Sequence, residues 1–476
     1  MILQLDALLF QQLAATTELT GMDAYLVGGF VRDIFLKRNS KDIDVVVIGD
    51  GIEFAKKFAN QFHEKHDFAV FKNFGTAMVK TADFEIEFVG ARKESYNRDS
   101  RKPVVSPGSL AEDLSRRDFT VNALAISLNK NNFGELLDPY NGMEDMQSKV
   151  LKTPLAPGIT FDDDPLRMMR AIRFASQLKF EIAAETFEAI QAYKNRIQIV
   201  SFERITEELN KIILSEKPSI GLQLLHDSGL LAIIFPELMA MSGIEYVHGR
   251  GHKDNFIHTL QVVDQGASAT NNLWLRWAIL LHDIGKPPCK KYTPGEGWSF
   301  HGHEDKGSRM VSKIFRRLKL PLNDKMKFVE KLVAMHHRPK VLAEEGVTDS
   351  AIRRLIVDAA EDLDELFVLC KADMTTKSEE KLKRYRKNLD RVRELVKEVE
   401  ERDALRNWQP PVSGEDIMRC FDMGPCKLVG EIKEQLREAI LEGQVKNERE
   451  AALKYMLEIA QSKGIQPILS LEEMLN

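Results

Sequence analysis

Apolar and polar positions change their period once along this chain. Up to about residue 150, short apolar runs alternate with turns. Ala24-Tyr-Leu-Val27 is broken by Gly28-Gly29, and helical spacing follows over Phe30–Lys37. Asp42–Ile48 is rich in β-branched residues and predicts a strand. A helix over Ile52–Gln61, strands near Ala69–Phe71, Ala77–Lys80 and Phe84–Val89, and a helix over Asn122–Ile126 complete a mixed α/β head. Ser95–Pro107 is polar and basic with two prolines, and predicts a mobile loop.

From Asp163 onward strand signals nearly vanish. Apolar residues at helical spacing run through Leu166–Leu178, Ala184–Tyr193 and Phe202–Leu214. Ser378–Asp403 alternates charges of both signs and predicts a solvated helix, and Asn407-Trp-Gln-Pro-Pro411 punctuates the chain before a last helical segment. The fold class expected is α+β: a mixed-sheet head at 1–150, a helical neck at 151–244, a helical, histidine-rich domain at 245–378 and a helical tail at 379–476. A chain of 476 residues is too long for one core and accommodates such a division.

Composition narrows the setting. No apolar run approaches the roughly 20 residues that span a bilayer, so no membrane partner is expected. The first twenty residues carry no basic start, apolar block and cleavage site in succession. Cys289, Cys370, Cys420 and Cys426 are too few and scattered for a disulfide framework or a four-thiolate zinc site, which points to a cytoplasmic location. A net charge of −5 argues against indiscriminate nucleic-acid binding, but not against a local basic path. Such a path exists in Arg92, Lys93, Arg98, Arg101, Lys102, Arg116 and Arg117, and again in Arg167, Arg170 and Arg173. Eight of the eleven histidines, His248, His252, His258, His282, His301, His303, His336 and His337, fall between 248 and 337. Two regions therefore carry two chemistries.

In the head, Asp42 and Asp44 are two apart on a strand and project to the same side. Paired carboxylates can hold hard cations such as Mg²⁺, and two such ions can stabilise both oxygens of a phosphoryl transfer. Glu87 can supply a third carboxylate, with Glu85 as the alternative. The paired glycines Gly28 and Gly29 open a helix. There the backbone can approach a phosphate, and Arg32 can add a charge-assisted contact.

Five motifs in order carry a resemblance. They are Gly28-Gly-x-Val-Arg-Asp33 with Asp42-x-Asp44; Arg116-Arg-Asp-Phe-Thr-x-Asn-Ala123; Leu137-Asp-Pro-Tyr-Asn-Gly142 with Asp145; Asp163-Asp-Pro-Leu-Arg167; and Arg173-Phe-Ala175. Over at least residues 20–215 the chain resembles class II CCA-adding enzymes and bacterial poly(A) polymerases. The resemblance implies a nucleotidyltransferase-type head, a helical neck, and transfer of nucleotides from CTP and ATP to an RNA 3′ end, with tRNA as partner. It implies metal binding by Asp42 and Asp44, and nucleotide contacts from Gly28, Gly29, Arg32 and Asp33. Arg117, Asp118 and Asn122 would hold ribose and phosphates. Asp163, Asp164 and Arg167 would read the base edge: a carboxylate accepts from the amine that cytosine and adenine share, and a guanidinium donates to their ring acceptors. Arg170 and Arg173 continue that edge. The family usually has Glu where this chain has Asp163.

In the histidine-rich region, His282-Asp283 follows the apolar run Trp277-Ala-Ile-Leu-Leu281, with His258 upstream and Asp373 on a later helical segment. Imidazoles and carboxylates together can bind a divalent metal that activates water. His258, His282, Asp283 and Asp373 resemble the ligand set of the HD phosphohydrolase superfamily. His303 and His336 or His337 can extend it to a second metal. The resemblance implies metal-dependent phosphohydrolase activity with Mn²⁺, Ni²⁺ or Co²⁺. Val412-Ser-Gly-Glu-Asp-Ile-Met418 and Leu428-Val-Gly-Glu-Ile432 resemble the C-terminal region of HD-bearing members. CCA addition is thus the first expectation. Poly(A) synthesis, or a phosphohydrolase whose head only binds RNA or nucleotide, are the alternatives. Oligomeric state and protein partners leave no trace in the sequence.

Overall fold

The computed structural model describes all residues except 1–2, 4–7, 63–64, 73–74, 98–99, 248–249, 253, 345–347, 377, 404–409 and 476. Arg98, His248 and the Asn407–Gln409 part of the expected break therefore lie outside the described residues. Contacts divide the chain into two units: residues 1–243 with 316–320, and residues 244–315 with 321–476.

Among the described residues the N-terminal part of the first unit holds nine strands, β1 (Ala24–Val27), β2 (Asp42–Val47), β3 (Asp67–Phe71), β4 (Thr76–Lys80), β5 (Glu85–Gly90), β6 (Arg92–Asn97), β7 (Ser100–Pro107), β8 (Ala125–Ser127) and β9 (Leu136–Leu137), and Val150–Leu151 pairs in parallel with Glu181–Ile182 further on. Seven form one sheet in the order β3-β4-β5-β2-β1-β8-β9, and β6 and β7 form a separate hairpin. β2 and β5 are parallel, while the other pairs in the large sheet are antiparallel. Alternation along β2 and β5 explains the layering. Ile43 and Val45 pair with Ile86 and Phe88 on one face, and Phe88 meets Phe54 and Phe58 of the helix Gly51–Gln61 at ring distances of 5.8 and 5.4 Å. That helix carries its phenylalanines one turn apart and starts at Asp50, whose carboxylate accepts from the Ile52 and Glu53 amides. Asp42, Asp44, Glu85 and Glu87 are left on the other face.

Two expectations fail here. Ser95–Pro107 is not a loop but most of the β6–β7 hairpin, in which Glu94 pairs with Val105 and Ser95 with Val104. The β-branched pair Val104-Val105 outweighs the prolines, which an isolated two-stranded ribbon tolerates at its outer edge. Asn122–Ile126 is not a helix: a 3₁₀ turn at Thr120–Asn122 leads into β8, which lies between β1 and β9. A short, fully buried apolar run has no period to tell helix from strand. Helices then take over, chiefly Leu166–Leu178, Ala184–Tyr193 and Phe202–Ile213.

The second unit is almost wholly helical; its described residues also hold two small antiparallel strand pairs that the sequence did not reveal, Tyr246–Val247 against Arg250–Gly251 and Lys291–Thr293 against Gly297–Ser299. The charged helix Glu379–Asp403 is not solvated all round: Leu389, Val392, Val396 and Val399 form a buried stripe at helical spacing. The last segment forms its own apolar core around Ile417, Ile432, Leu436, Leu453 and Met456. Among the described residues no helix is long and apolar enough to cross a membrane.

Candidate active sites

In the head, β1 runs antiparallel to β2 so that Val27 faces Asp44, and the chain turns at Gly28 beside that carboxylate. Gly28 has φ +74°, and a Cβ there would lie 2.9 Å from Arg117 Nη1 and 3.1 Å from Asp44 Oδ2. Glycine is required on both counts. On the other side, β5 places Glu87 opposite Asp44 and Glu85 opposite Asp42. Burial and then Asp42 push the Asp44 carboxyl up, against Arg117. Partial desolvation and Asp44 push Glu87 up as well. A row of neighbouring carboxylates on one sheet face is a fit place for a cation.

The arginines around this face are held in position. Asp113, fully buried, accepts from Arg116 Nη2 at 2.6 Å and Arg117 Nη2 at 3.1 Å. Arg32 donates to Asp33 Oδ1 at 2.9 Å and to Asn122 Oδ1 at 2.8 Å, and Asn122 donates in turn to Asp118 Oδ1 at 2.9 Å. Asp118 Oδ2 takes Arg170 Nε at 2.7 Å and Nη2 at 2.5 Å. Burial alone would raise the Asp118 carboxyl, but Arg170, Asn122 and Arg167 outweigh it and hold it at about 2. Arg173 Nε lies 2.6 Å from Glu208 Oε2. The guanidinium carbons of Arg173, Arg32 and Arg170 stand 3.9, 5.0 and 5.4 Å from the centre of the Phe174 ring. One aromatic ring thus gathers three arginines contributed by two helices.

In the second unit, His258 lies on the helix Asn255–Ala269, His282-Asp283 ends Leu273–Leu281, and Asp373 caps Leu363–Ala372. His258 Nε2 is 2.9 Å from Asp373 Oδ1 and 3.4 Å from Asp283 Oδ2, while His282 Nε2 is 3.2 Å from Asp283 Oδ2. The other Asp283 oxygen, Oδ1, lies 3.3 Å from His303 Nε2 and 3.8 Å from His336 Nε2. Every one of these rings is anchored through Nδ1: to Thr375 Oγ1 at 2.8 Å for His258, and to the carbonyls of Ile279, Phe300 and Val333 at 2.8, 2.9 and 2.7 Å for His282, His303 and His336. Those bonds fix the ring orientation and leave Nε2 facing inward. The Nε2 atoms of His282, His303 and His336 and Asp283 Oδ1 are buried without a hydrogen-bond partner. Inward-facing donor atoms of this kind fit a transition metal. Two groups form around Asp283: His258, His282 and Asp283, and His303, His336 and His337. Burial disfavours a charge on His282, yet Asp283 and Asp373 push it up to about 10, while burial and His282 push His336 down to about 3.

Residues 24–152 match the Poly A polymerase head domain, residues 179–241 the probable RNA and SrmB-binding site of polymerase A, and residues 255–376 the HD domain. The Multifunctional CCA protein of Psychromonas ingrahamii is 35% identical over 328 residues, 66% of this chain and 75% of that protein. The chain belongs to the HD-bearing family of CCA-adding enzymes and poly(A) polymerases. A Multifunctional CCA protein from Pseudomonas fluorescens is 36% identical over 313 residues, 63% of this chain and 71% of that one. In fold, the chain is similar to the CCA-adding enzyme of Bacillus stearothermophilus solved in complex with CTP. Their TM-score is 0.64 at 22% identity, over 96% of this chain and 99% of that one.

Within this family frame, the structure brings Gly28, Asp44 and Arg117 together, sets Glu87 beside them in register, and links Arg32, Asp33, Asn122, Asp118 and Arg170 in one chain of bonds. Gly29 lies one residue on, 3.6 Å from Arg32 Nη2 when given a Cβ. Asp163 ends the helix Pro157–Asp163; Asp164 Oδ1 accepts the Leu166 amide at 3.1 Å, the first amide of the helix that carries Arg167, Arg170 and Arg173. The motif Leu137–Gly142 is architectural. Asp138 accepts the amides of Gly142 and Met143, and Asp145 takes Thr120 Oγ1 at 2.7 Å and Lys152 Nζ at 2.9 Å. A Cβ on Gly142 would sit 2.3 Å from the Thr120 carbonyl oxygen. Sequence reasoning missed Asp113 and Glu208, and gave Phe174, quoted within Arg173-Phe-Ala175, no role of its own. Asp113 was within reach, three and four residues before its arginines on a helix, whereas Glu208 meets Arg173 across 35 residues of chain.

Proposed function

We propose that this chain adds C, C and A to tRNA 3′ ends from CTP and ATP, and that its HD domain is a separate metal-dependent phosphohydrolase. The observation that carries the first part is the meeting of Asp44, Gly28 and Arg117, with Asp42 and Glu87 on the same face. The names of the curated relatives support CCA addition over long A tails. In the transfer, the terminal 3′ oxygen of the RNA bonds to the α-phosphorus, the α–β bond breaks, and pyrophosphate leaves. Asp42 and Asp44, with Glu87 beside them, would hold Mg²⁺, which supplies positive charge to the reacting phosphates. Gly28 and Gly29 admit the triphosphate close to the backbone, and Arg32 and Arg117 donate to its oxygens. Arg170 and Asn122, fixed by Asp118, flank the ribose. Asp163, Asp164 and Arg167 select the amine that cytosine and adenine share, and reject uracil and guanine, which present a carbonyl in its place.

In the HD domain, His258, His282, Asp283 and Asp373 would hold one transition metal, and His303 and His336 with the second oxygen of Asp283 another. Such ions supply an activated water. Lys286, 2.6 Å from Asp283, stands where a phosphate oxygen needs a cation. The finer division into head (1–150), neck (151–244), HD domain (245–378) and tail (379–476) is part of the same proposal. The deciding experiment offers tRNA lacking CCA, tRNA-C and tRNA-CC to the purified chain with each nucleotide alone and mixed. Growth that stops at CCA is expected; unbounded A tails would overturn the reading in favour of a poly(A) polymerase. Asp42→Ala and Asp44→Ala should abolish transfer and leave hydrolysis of a 2′,3′-cyclic phosphate with Mn²⁺, Ni²⁺ or Co²⁺ intact; loss of both would refute two independent centres.

A further inference from the structure

The helix Pro157–Asp163 ends on the first of the residues assigned to base reading, and Asp164 follows it directly. Carbonyls in the last turn of a helix have no intrahelical partner and take one from elsewhere. Here the partner comes from 34 residues away. Arg196, in the 3₁₀ helix Lys194–Ile199, donates from Nη2 to the Asp162 carbonyl oxygen at 2.7 Å, and its Nε lies 3.1 Å from Asp162 Oδ1. Both Nε and that carboxylate oxygen are buried, so salt screens the pair weakly. The same stretch of chain also meets the other end of the helix. A Cβ on Gly158 would lie 3.0 Å from the Tyr193 hydroxyl, so the helix start packs closely on that ring.

The Asp162 carbonyl oxygen and the Asp163 amide nitrogen belong to one planar peptide. Fixing that oxygen fixes the plane from which the Asp163 side chain starts, and Asp164 is the next residue on. Asp163 has a single methylene between backbone and carboxylate, so no change of rotamer makes up for a displaced main chain. Asp164 is committed too, because its Oδ1 accepts the Leu166 amide at 3.1 Å. We propose that Arg196 is a positioning residue for base selection. Acting through the main chain at Asp162 and Asp163, it holds the carboxylates of Asp163 and Asp164 where they discriminate between bases. The proposal rests on the base-reading assignment of Asp163, Asp164 and Arg167. It gives a residue outside every motif a share in fidelity.

The test is a competition on the full-length protein, with CTP against UTP on tRNA lacking CCA and ATP against GTP on tRNA-CC. Both nucleotides compete for the same folded enzyme, so the ratio of incorporations is blind to the fraction that is folded. Arg196→Ala is expected to lower both ratios about tenfold. A carboxylate moved from its place loses the amine of the correct base and no longer repels the carbonyl of the wrong one. Arg196→Lys keeps the charge but not the two-point grip, and should restore part of the loss. Asp162→Ala keeps the main-chain bond and should lower the ratios less than Arg196→Ala does. Thermal unfolding followed by circular dichroism reads the stability of each variant separately. A loss of stability or of overall rate with both ratios unchanged would reduce Arg196 to a helix cap and overturn the proposal, as would unchanged kinetics throughout. Should Arg196→Ala fail to fold, Arg196→Lys and Asp162→Ala decide: each is expected to lower the ratios about threefold, and parent ratios in both would overturn the proposal. Asp164→Ala separates the proposal from the reading beneath it. Ratios lowered by Asp164→Ala but not by Arg196→Ala leave the base readers standing and overturn the role of Arg196. Ratios unmoved by Asp164→Ala refute the base-reading assignment itself, and the role of Arg196 with it.

Discussion

Asp118 ties Asn122 to Arg170 in the head, and Asp118→Asn tests what that junction contributes. Its two oxygens take four donors, from Phe119 N, Asn122, and two nitrogens of Arg170. The substitution keeps the shape but turns an amide toward a guanidinium, donor against donor. The fall of the carboxyl from its ordinary 3.8 to about 2 corresponds to roughly 2.5 kcal/mol. Breaking a buried pair outright costs about 3–5 kcal/mol, but the Arg170 side chain is 36% exposed and can turn to water, so the lower figure applies. Because the folded value is depressed, the stabilisation is complete above about pH 5, falls to about half near pH 3 and is lost below the folded value. All four tryptophans lie at 274, 277, 298 and 408, outside the unit that holds Asp118, so fluorescence is blind to it. Native-state hydrogen exchange over the helix Leu166–Leu178 is the suitable assay. We expect protection to drop by about 2–3 kcal/mol at pH 7, and the gap between parent and variant to narrow as the pH falls toward 3. In a cycle with Arg170→Ala, a coupling below about 0.5 kcal/mol would refute the account.

Three further outcomes are expected. Glu208→Gln, which removes the charge holding Arg173, should raise KM for CTP and ATP about tenfold and change kcat less. Unchanged steady-state kinetics would count against a positioning role. Gly142→Ala forces a methyl to within 2.3 Å of the Thr120 carbonyl and should destabilise the head by about 1–3 kcal/mol; a thermal scan by circular dichroism showing no shift would contradict this. Asp283→Asn should reduce tightly held Mn²⁺ or Ni²⁺ from two ions per chain to fewer than one, since one carboxylate faces both histidine groups; metal analysis after dialysis that still finds two ions would exclude the bridging geometry.

Much of the head could be read from the sequence because its signals are local. The two-residue spacing of Asp42 and Asp44, the glycine pair before them and the β-branched run they sit in require no knowledge of the rest of the chain. The His282-Asp283 pair was legible for the same reason, standing at the end of an apolar helix. What escaped depends on distant partners or on burial. Ala123–Ile126 is apolar throughout, and only the place of Ala125–Ser127 between β1 and β9 makes it a strand. Ser95–Pro107 folds back on itself and on Arg92–Glu94, whose own β signal is weak. The helix Glu379–Asp403 hides a four-residue apolar stripe among charges. Glu208 stands in no motif, and Phe174, though part of Arg173-Phe-Ala175, gains a role only where three arginines meet its ring.

The arginines around Phe174 are each matched: Arg32 with Asp33, Arg170 with Asp118, and Arg173 with Glu208. The cluster is rich in donors yet close to neutral, and the carboxylates of Asp118 and Glu208 are buried. Pairs shielded in this way feel bulk ions weakly, whereas contacts along an exposed backbone weaken steeply as salt rises. Recognition of the small substrate and capture of the large one should therefore part company with ionic strength. As salt is raised, the chain would first lose its hold on RNA and keep its fit to the nucleotide, so that medium composition alone sets which of the two limits turnover.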